Sequence, residues 1–251
     1  MKPLSLILWL ALLLLAFLLP ASAQISLTGT ASLSGTVHLS VTPASGVSFS
    51  DDFNRADAAT LGANWTVLAG NGMSVSNNQA IATEYDSQYD KNAAVYNTNT
   101  ATVSQYAKVT INGGEAAGNG IYPQILLRVN GTNECYSIEI KPNENLIELQ
   151  YYTNAAGSAT VIASASTAIA TNDTFAVTVS GTGNSTVWRV WINPTGLPTA
   201  ADNWDGDTTP TATFTDDPAV AADTGLGVGL AVYVQLNVYC KLDDFFGGDI
   251  P

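Results

Sequence analysis

One histidine, His38, has to serve all 251 residues. That scarcity removes histidine-based metal sites and the serine or cysteine triads that need an imidazole base. Basic residues are also few, eight Lys and Arg against twenty-one Asp and Glu, for a net charge of −13. They are scattered, so there is no basic stripe to displace counterions from a phosphate backbone, and a nucleic-acid partner is not expected. No stretch keeps helical spacing over three turns, which argues against an α-helical or mixed fold. The two cysteines, Cys135 and Cys240, lie in a part of the chain expected to meet an oxidising compartment. Strand alternation points Cys135 outward and Cys240 inward, so a bridge would need an intervening bulge, and both states stay open.

The chain has one long apolar run, from Leu4 to Leu19, preceded by Lys2 and followed by Pro20-Ala21-Ser22-Ala23. A charged start, apolar middle and small-residue exit are the pattern of a cleavable secretory signal over residues 1–23. A retained anchor is the rival reading, which Pro20 and the Ala-x-Ala site disfavour. A secreted protein without stable membrane insertion after cleavage follows, and its charge becomes −14 once Lys2 leaves. Such acidity suits extracellular solubility, or carboxylates that hold a cation such as calcium. Residues 24–46 cycle through SLTGTA, SLSGTV and HLSVTP, too little bulk to offset the entropy of ordering. They are expected to form a Ser/Thr/Gly-rich linker, with a short added strand as the alternative.

From residue 47 to 251 the pattern changes to β-branched and aromatic alternation, broken by Asn, Gly and Asp clusters every eight to twelve residues. Strands are expected near 47–53, 64–69, 73–84, 93–97, 104–112, 122–129, 135–141, 146–152, 160–166, 174–180, 186–192, 226–234 and 238–246. Asn77-Asn78, Pro142 to Asn145 and Gly181 to Asn184 suit hairpin turns. So many strands predict an all-β chain, a two-sheet antiparallel β-sandwich. Val47 to Phe53, VSFSDDF, and Val238 to Phe245, VYCKLDDF, are near twins. They predict terminal strands that lie side by side and close one domain of about two hundred residues, large enough to bury roughly 70% of its unfolded surface.

Phe49 to Trp65, FSDDFNRADAATLGANW, resembles the opening of concanavalin A-like lectin/glucanase domains of the laminin-G-like jelly-roll type. Gly225 to Val234, GLGVGLAVYV, with the later Leu-Asp-Asp-Phe, resembles their last two strands. The resemblance spans about 48 to 249 and implies the jelly-roll fold and a glycan ligand. Its motifs belong to strand ends and tight packing, so they speak for fold more than for activity.

Alternation sorts the central meander into two faces. Ile125, Leu127 and Val129, Tyr136, Ile138 and Ile140, and Ile147, Leu149 and Tyr151 form the core phase. Gln124 and Arg128, Ser137 and Glu139, and Glu148 and Gln150 form the polar phase. The Pro142 to Asn145 turn sets Glu139 opposite Glu148, where like charges cost stability unless compensated. Such a pair could act as acid and nucleophile, grip a cation, or bind sugar hydroxyls. The plain alternative is a solvated face relieved by Lys141 or Arg128. Retaining glucanases of the resembled superfamily carry Glu-x-Asp-x-x-Glu on one strand, and nothing here matches it. Between Thr186 and Ile192 the phase puts Trp188, Val190 and Ile192 inward and leaves Arg189 and Trp191 for a sugar ring, or for an edge.

Asp202 to Asp207, DNWDGD, resembles a calcium loop without its distal Glu, giving Asp202, Asp205 and Asp207 as candidate ligands. Asp51, Asp52, Asp243 and Asp244 are a second candidate set. Tyr85, Tyr89, Tyr122 and Trp204 add loop aromatics. The expected function is non-catalytic carbohydrate binding through Gln124, Arg128, Gln150, Arg189 and Trp191. Glycan cleavage by Glu139 and Glu148, and a structural or adhesive role, are the alternatives.

Overall fold

The structure is a computed structural model, described over residues 46–82, 90–112, 122–170, 172–215, 224–234 and 240–251. The chain divides into Met1–Ser45 and Gly46–Pro251. The expected signal and linker fall outside the described residues but for Gly46, as do Tyr85 and Tyr89. Among the described residues no helix is long and apolar enough to cross a membrane.

The strands, in chain order, are β1 (Ser48–Asp51), β2 (Trp65–Ala69), β3 (Met73–Ser76), β4 (Gln79–Ala82), β5 (Asp90–Tyr96) and β6 (Gln105–Ile111). The central meander is β7 (Tyr122–Val129), β8 (Cys135–Lys141) and β9 (Leu146–Tyr152), and β10 (Thr160–Ser166) follows it. The chain continues through β11 (Thr174–Ser180), β12 (Val187–Ile192), β13 (Pro198–Ala200), β14 (Asn203–Trp204), β15 (Ala212–Thr215), β16 (Gly227–Val234) and β17 (Lys241–Asp249). The stretch expected over 73–84 is the β3–β4 hairpin, and its turn is the expected Asn77-Asn78, both with positive φ.

Among the described residues, one sheet runs β15-β12-β11-β6-β17-β4-β3, with β1 also on β17, and a second runs β10-β9-β8-β7-β16-β5-β2. Their inner faces enclose one core, from Ile125, Leu127, Tyr136, Ile138 and Leu149 on the second sheet to Val109, Val177, Trp188, Val190 and Phe245 on the first. The inward phases read from the sequence for β8, β9 and β12 are therefore the ones observed. Cys240 belongs to this core, while Cys135 packs with Leu126, Tyr152 and Ala231 on the outside of the second sheet. Both thiols are free and buried.

The twin ends do pair: Ser48, Phe49, Ser50 and Asp51 lie antiparallel to Gly248, Gly247, Phe246 and Phe245. A Cβ at Gly248 would run into the Val47 carbonyl, so only glycine allows this approach. Asp249 locks the closure, its buried carboxylate accepting from the Val47, Ala101 and Thr102 amides and the Thr102 hydroxyl at 2.7 to 2.9 Å.

The opening motif is structural for a similar reason. Arg55 grips Asp51 with both terminal nitrogens, at 2.6 and 3.0 Å, and Trp65 Nε1 donates to the same carboxylate at 2.8 Å. Burial disfavours that charge, yet the bonds from Arg55, Trp65 and the Phe53 amide outweigh it and hold Asp51 below its ordinary range. The four terminal carboxylates consequently do not gather as a cation site. Asp51 is committed to Arg55, Asp52 accepts from the Asn54 amide, and Asp243 accepts from Asn112.

Candidate binding cleft

The outer face of the β7, β8 and β9 meander carries a connected polar row. Register puts Gln124 beside Glu139, and Glu139 directly opposite Glu148. Asn145 takes φ 51° at the end of the β8–β9 turn, which allows the tight reversal that fixes this pairing. Gln150 Nε2 donates to Glu139 Oε1 at 2.8 Å and to Glu148 Oε2 at 2.9 Å. Gln124 Nε2 donates to Glu139 Oε2 and, at 3.1 Å, to the Tyr152 hydroxyl, which donates to Gln150 Oε1 at 2.9 Å. Lys141 Nζ stands 3.1 Å from Glu148 and 3.6 Å from Glu139. The opposed carboxylates thus share a cation and an amide.

Burial raises the Glu139 pKa, and the opposing pull of Gln124, Lys141 and Gln150 does not cancel it. Burial likewise raises the Tyr152 phenol, with the Glu139 charge adding to it. A cleft of about 650 Å³ opens over this row, with Glu139, Gln150 and Tyr152 in its floor and Lys91, Tyr122 and Tyr233 around it. Tyr122 and Tyr233 stack, centroids 6.0 Å apart at 7°, and Tyr122 also donates to Glu144 at 2.8 Å. A larger hollow of about 770 Å³ beside β3 and β4 contains Asp57 and Lys241 but no aromatic ring.

Gln124, Gln150, Glu139 and Glu148 therefore meet as the sequence indicated, whereas the other expected members lie elsewhere. Arg128 is the first correction. A bulge inserts one extra residue into β7 opposite β16, and Arg128 takes φ 52° there. The bulge reverses the phase, so Val129 joins the outer cluster and the Arg128 side chain turns inward. Its guanidinium lies 5.7 Å from the Trp188 ring and donates to the carbonyls of Val103 and Gly181 at 3.1 and 2.5 Å. Gln105 Oε1 accepts the displaced Arg128 backbone amide at 2.8 Å. A Cβ at Gly225 would overlap the Arg128 carbonyl, so the glycine of the closing motif makes room for the bulge.

Arg189 and Trp191 are the second correction. They project from the outer face of the other sheet, on the opposite side of the sandwich from the cleft. The β13–β14 hairpin covers them. Trp204 packs on Trp191 at 5.7 Å and edge-on to Tyr106 at 6.0 Å, leaving both tryptophans 0% exposed, and Arg189 reaches the Ala201 carbonyl at 3.4 Å. Asp202 to Asp207 make the tight turn that seats Trp204. Asp205 accepts from Thr195 at 3.3 Å and Asp207 from the Thr209 amide at 2.9 Å, and Asp202 is exposed. Among the described residues no three His, Cys, Asp or Glu side chains converge on a metal position.

Sequence reasoning missed Lys91, Tyr152 and Tyr233. Tyr152 continues the Glu148 and Gln150 phase, so alternation carried that signal. Lys91 was hidden because β5 begins at Asp90, earlier than the expected 93. Its side chain is 9% exposed, and Nζ sits 3.1 Å from the Tyr152 ring centroid with no hydrogen-bond partner among the described residues. Burial lowers its pKa to about 8, and the pull of the Glu139 carboxylate does not cancel this.

Residues 26–215 match the family model described as "Domain of unknown function (DUF7257)". The chain belongs to this family. The match ends with β15, whereas the sandwich also needs β16, between β5 and β7, and β17, which pairs with β1, β4 and β6. A search of curated proteins finds no match. Among solved structures, one described as "Prominent members of the human gut microbiota express endo-acting O-glycanases to initiate mucin breakdown" is 10% identical, with TM-score 0.51 over 81% of this chain and 99% of that one. A carbohydrate binding module, CBM66 of Bacillus subtilis, is 13% identical with TM-score 0.48, over 72% of this chain and 91% of that one. A β-1,3-1,4-glucanase from a mouse hindgut metagenome is 11% identical with TM-score 0.48, over 81% and 99%. At such identities the likeness concerns the fold alone. The fold is the concanavalin A-like jelly roll that the sequence motifs implied.

Proposed function

We propose that this is a secreted carbohydrate-binding module whose ligand lies in the cleft over β7, β8 and β9. One observation carries the reading: an amide, carboxylate and phenol row forms the floor of a cleft with a stacked tyrosine pair beside it. Sugar hydroxyls both donate and accept, and such a row offers both functions in fixed geometry. The apolar face of a pyranose suits a tyrosine ring. Each hydrogen bond contributes only about 0.5 to 1.5 kcal/mol net, so several are needed, and the row supplies them. The fold-level likeness to glycan-binding and glycan-cleaving proteins supports the same reading.

Titration calorimetry of the full chain against an oligosaccharide panel tests it. Saturable binding that weakens at least tenfold in Tyr233→Ala and in Gln150→Ala is expected. A folded parent that binds no member of the panel overturns the proposal. The opposed glutamates and the raised Glu139 pKa favour glycan hydrolysis as the second reading. Product release that disappears in Glu139→Gln would replace binding by catalysis.

A further inference from the structure

We propose that Lys91 is the selectivity-determining contact of the cleft, donating its ammonium to an oxygen of an uncharged glycan, and that the site discriminates against acidic glycans. The inference rests on the carbohydrate reading of the cleft and names its ligand class. Its first support is the placement of Lys91. A lysine ammonium carries three donors, and a buried one without acceptors is costly. Lys91 has no acceptor among the described residues, although Glu139, Gln150 and Tyr152 line the same cleft. The Tyr152 ring face holds the cation meanwhile. A methionine-like side chain would fit the same buried stem without the charge, so the ammonium is kept at a cost to stability, as functional groups often are. Its four-carbon stem lets Nζ swing from the ring to an incoming oxygen.

The ligand class follows from the charges around that donor. Glu139 faces the cleft, Glu148 is paired with it, and Glu144 accepts from Tyr122 at its edge, three carboxylates against the ammoniums of Lys91 and Lys141. The net charge of the whole chain, −13 and −14 once Lys2 leaves with the signal, adds a long-range negative field. A uronate or sulfate would meet repulsion on approach and again in the cleft. Hydrogen-bond chemistry points the same way. Gln124 Oε1, on the same face, is a buried acceptor without a donor among the described residues. Carboxylates and sulfates only accept, whereas a hydroxyl can take a bond from an ammonium and give one to an amide oxygen. Burial brings Lys91 to about 8, which leaves it mostly charged at neutral pH and able to donate.

The test titrates the full chain with four probes of equal length: cellohexaose, mannohexaose, an oligogalacturonate hexamer and a chondroitin sulfate hexasaccharide. Binding of at least one neutral probe, at least tenfold tighter than either acidic one, is expected. Lys91→Met should lose at least tenfold of that affinity while its Tm rises, since loss of a merely structural contact would lower both. An acidic probe that binds as tightly as the neutral ones overturns the selectivity. Unchanged neutral binding in Lys91→Met overturns the role of Lys91, with the carbohydrate reading left intact in both cases. No binding of any probe overturns that reading together with this one.

Discussion

Glu139 stands directly across from Glu148, and a single amide nitrogen, that of Gln150, hydrogen-bonds both carboxylates. The pairing places two like charges on neighbouring strands, and Lys141 and Gln150 are what keep it from being a liability.

Glu139 should make the fold less stable as pH rises. Its folded pKa lies above the ordinary value of 4.5 because of burial. Between those two values the folded chain still holds a proton that the unfolded chain has released, so stability falls with rising pH in that window. Urea unfolding of parent and Glu139→Gln between pH 4 and 7 measures it. The parent should lose stability relative to the variant as pH increases, and a relative gain would contradict the burial argument.

Lys91 works with the opposite proton balance. Its folded pKa is about 8 against an ordinary 10.5. Between these values the unfolded chain keeps a proton that the folded chain has lost, so stability rises with pH. Below pH 8 the folded state bears the full cost of the buried charge. Lys91→Met should therefore stabilise the protein at pH 7 by about 1 to 3 kcal/mol. Chemical denaturation at pH 7 and again near pH 10.5 checks this, and the advantage should shrink at the higher pH.

Trp191→Ala should cost about 3 to 5 kcal/mol, as a large buried ring does. Alternation alone put Trp188 in the core and left Trp191 on the outer face of its strand. Trp204 on the β13–β14 hairpin covers Trp191, so both substitutions open cavities. Thermal unfolding of the two variants should give similar losses, and a Trp191→Ala protein as stable as its parent would show that the hairpin does not seal that face.

Arg128→Ala should cost about 3 to 5 kcal/mol. It would empty the space beside Trp188 and leave the half-buried carbonyls of Val103 and Gly181 without their donor, while alanine still had to adopt φ 52°. A loss below about 1 kcal/mol in urea unfolding would mean that the bulge relaxes into a regular strand.

Several features were legible in the chain because they depend on local rules. Period-two alternation assigns the faces of β8, β9 and β12, since successive side chains of a strand point to opposite sides. A turn ending in Asn145 fixes the Glu139 and Glu148 register. The acidic-aromatic twins announced that β1 and β17 are neighbours, and the opening and closing motifs pointed to the jelly roll. Other features belong to the tertiary structure alone. One extra residue in β7 reversed the phase for Arg128, and positive φ at an arginine leaves no mark in composition. Alternation gives the face of a strand but not the sheet that it joins, so Arg189 and Trp191 could be assigned an outer face without revealing that it lies across the sandwich from the meander. Nor does it say what covers a face, which here is a hairpin carrying Trp204. Lys91, Tyr152 and Tyr233 converge from β5, β9 and β16, strands far apart in sequence, and only the order of strands in the sheet brings their side chains to one cleft.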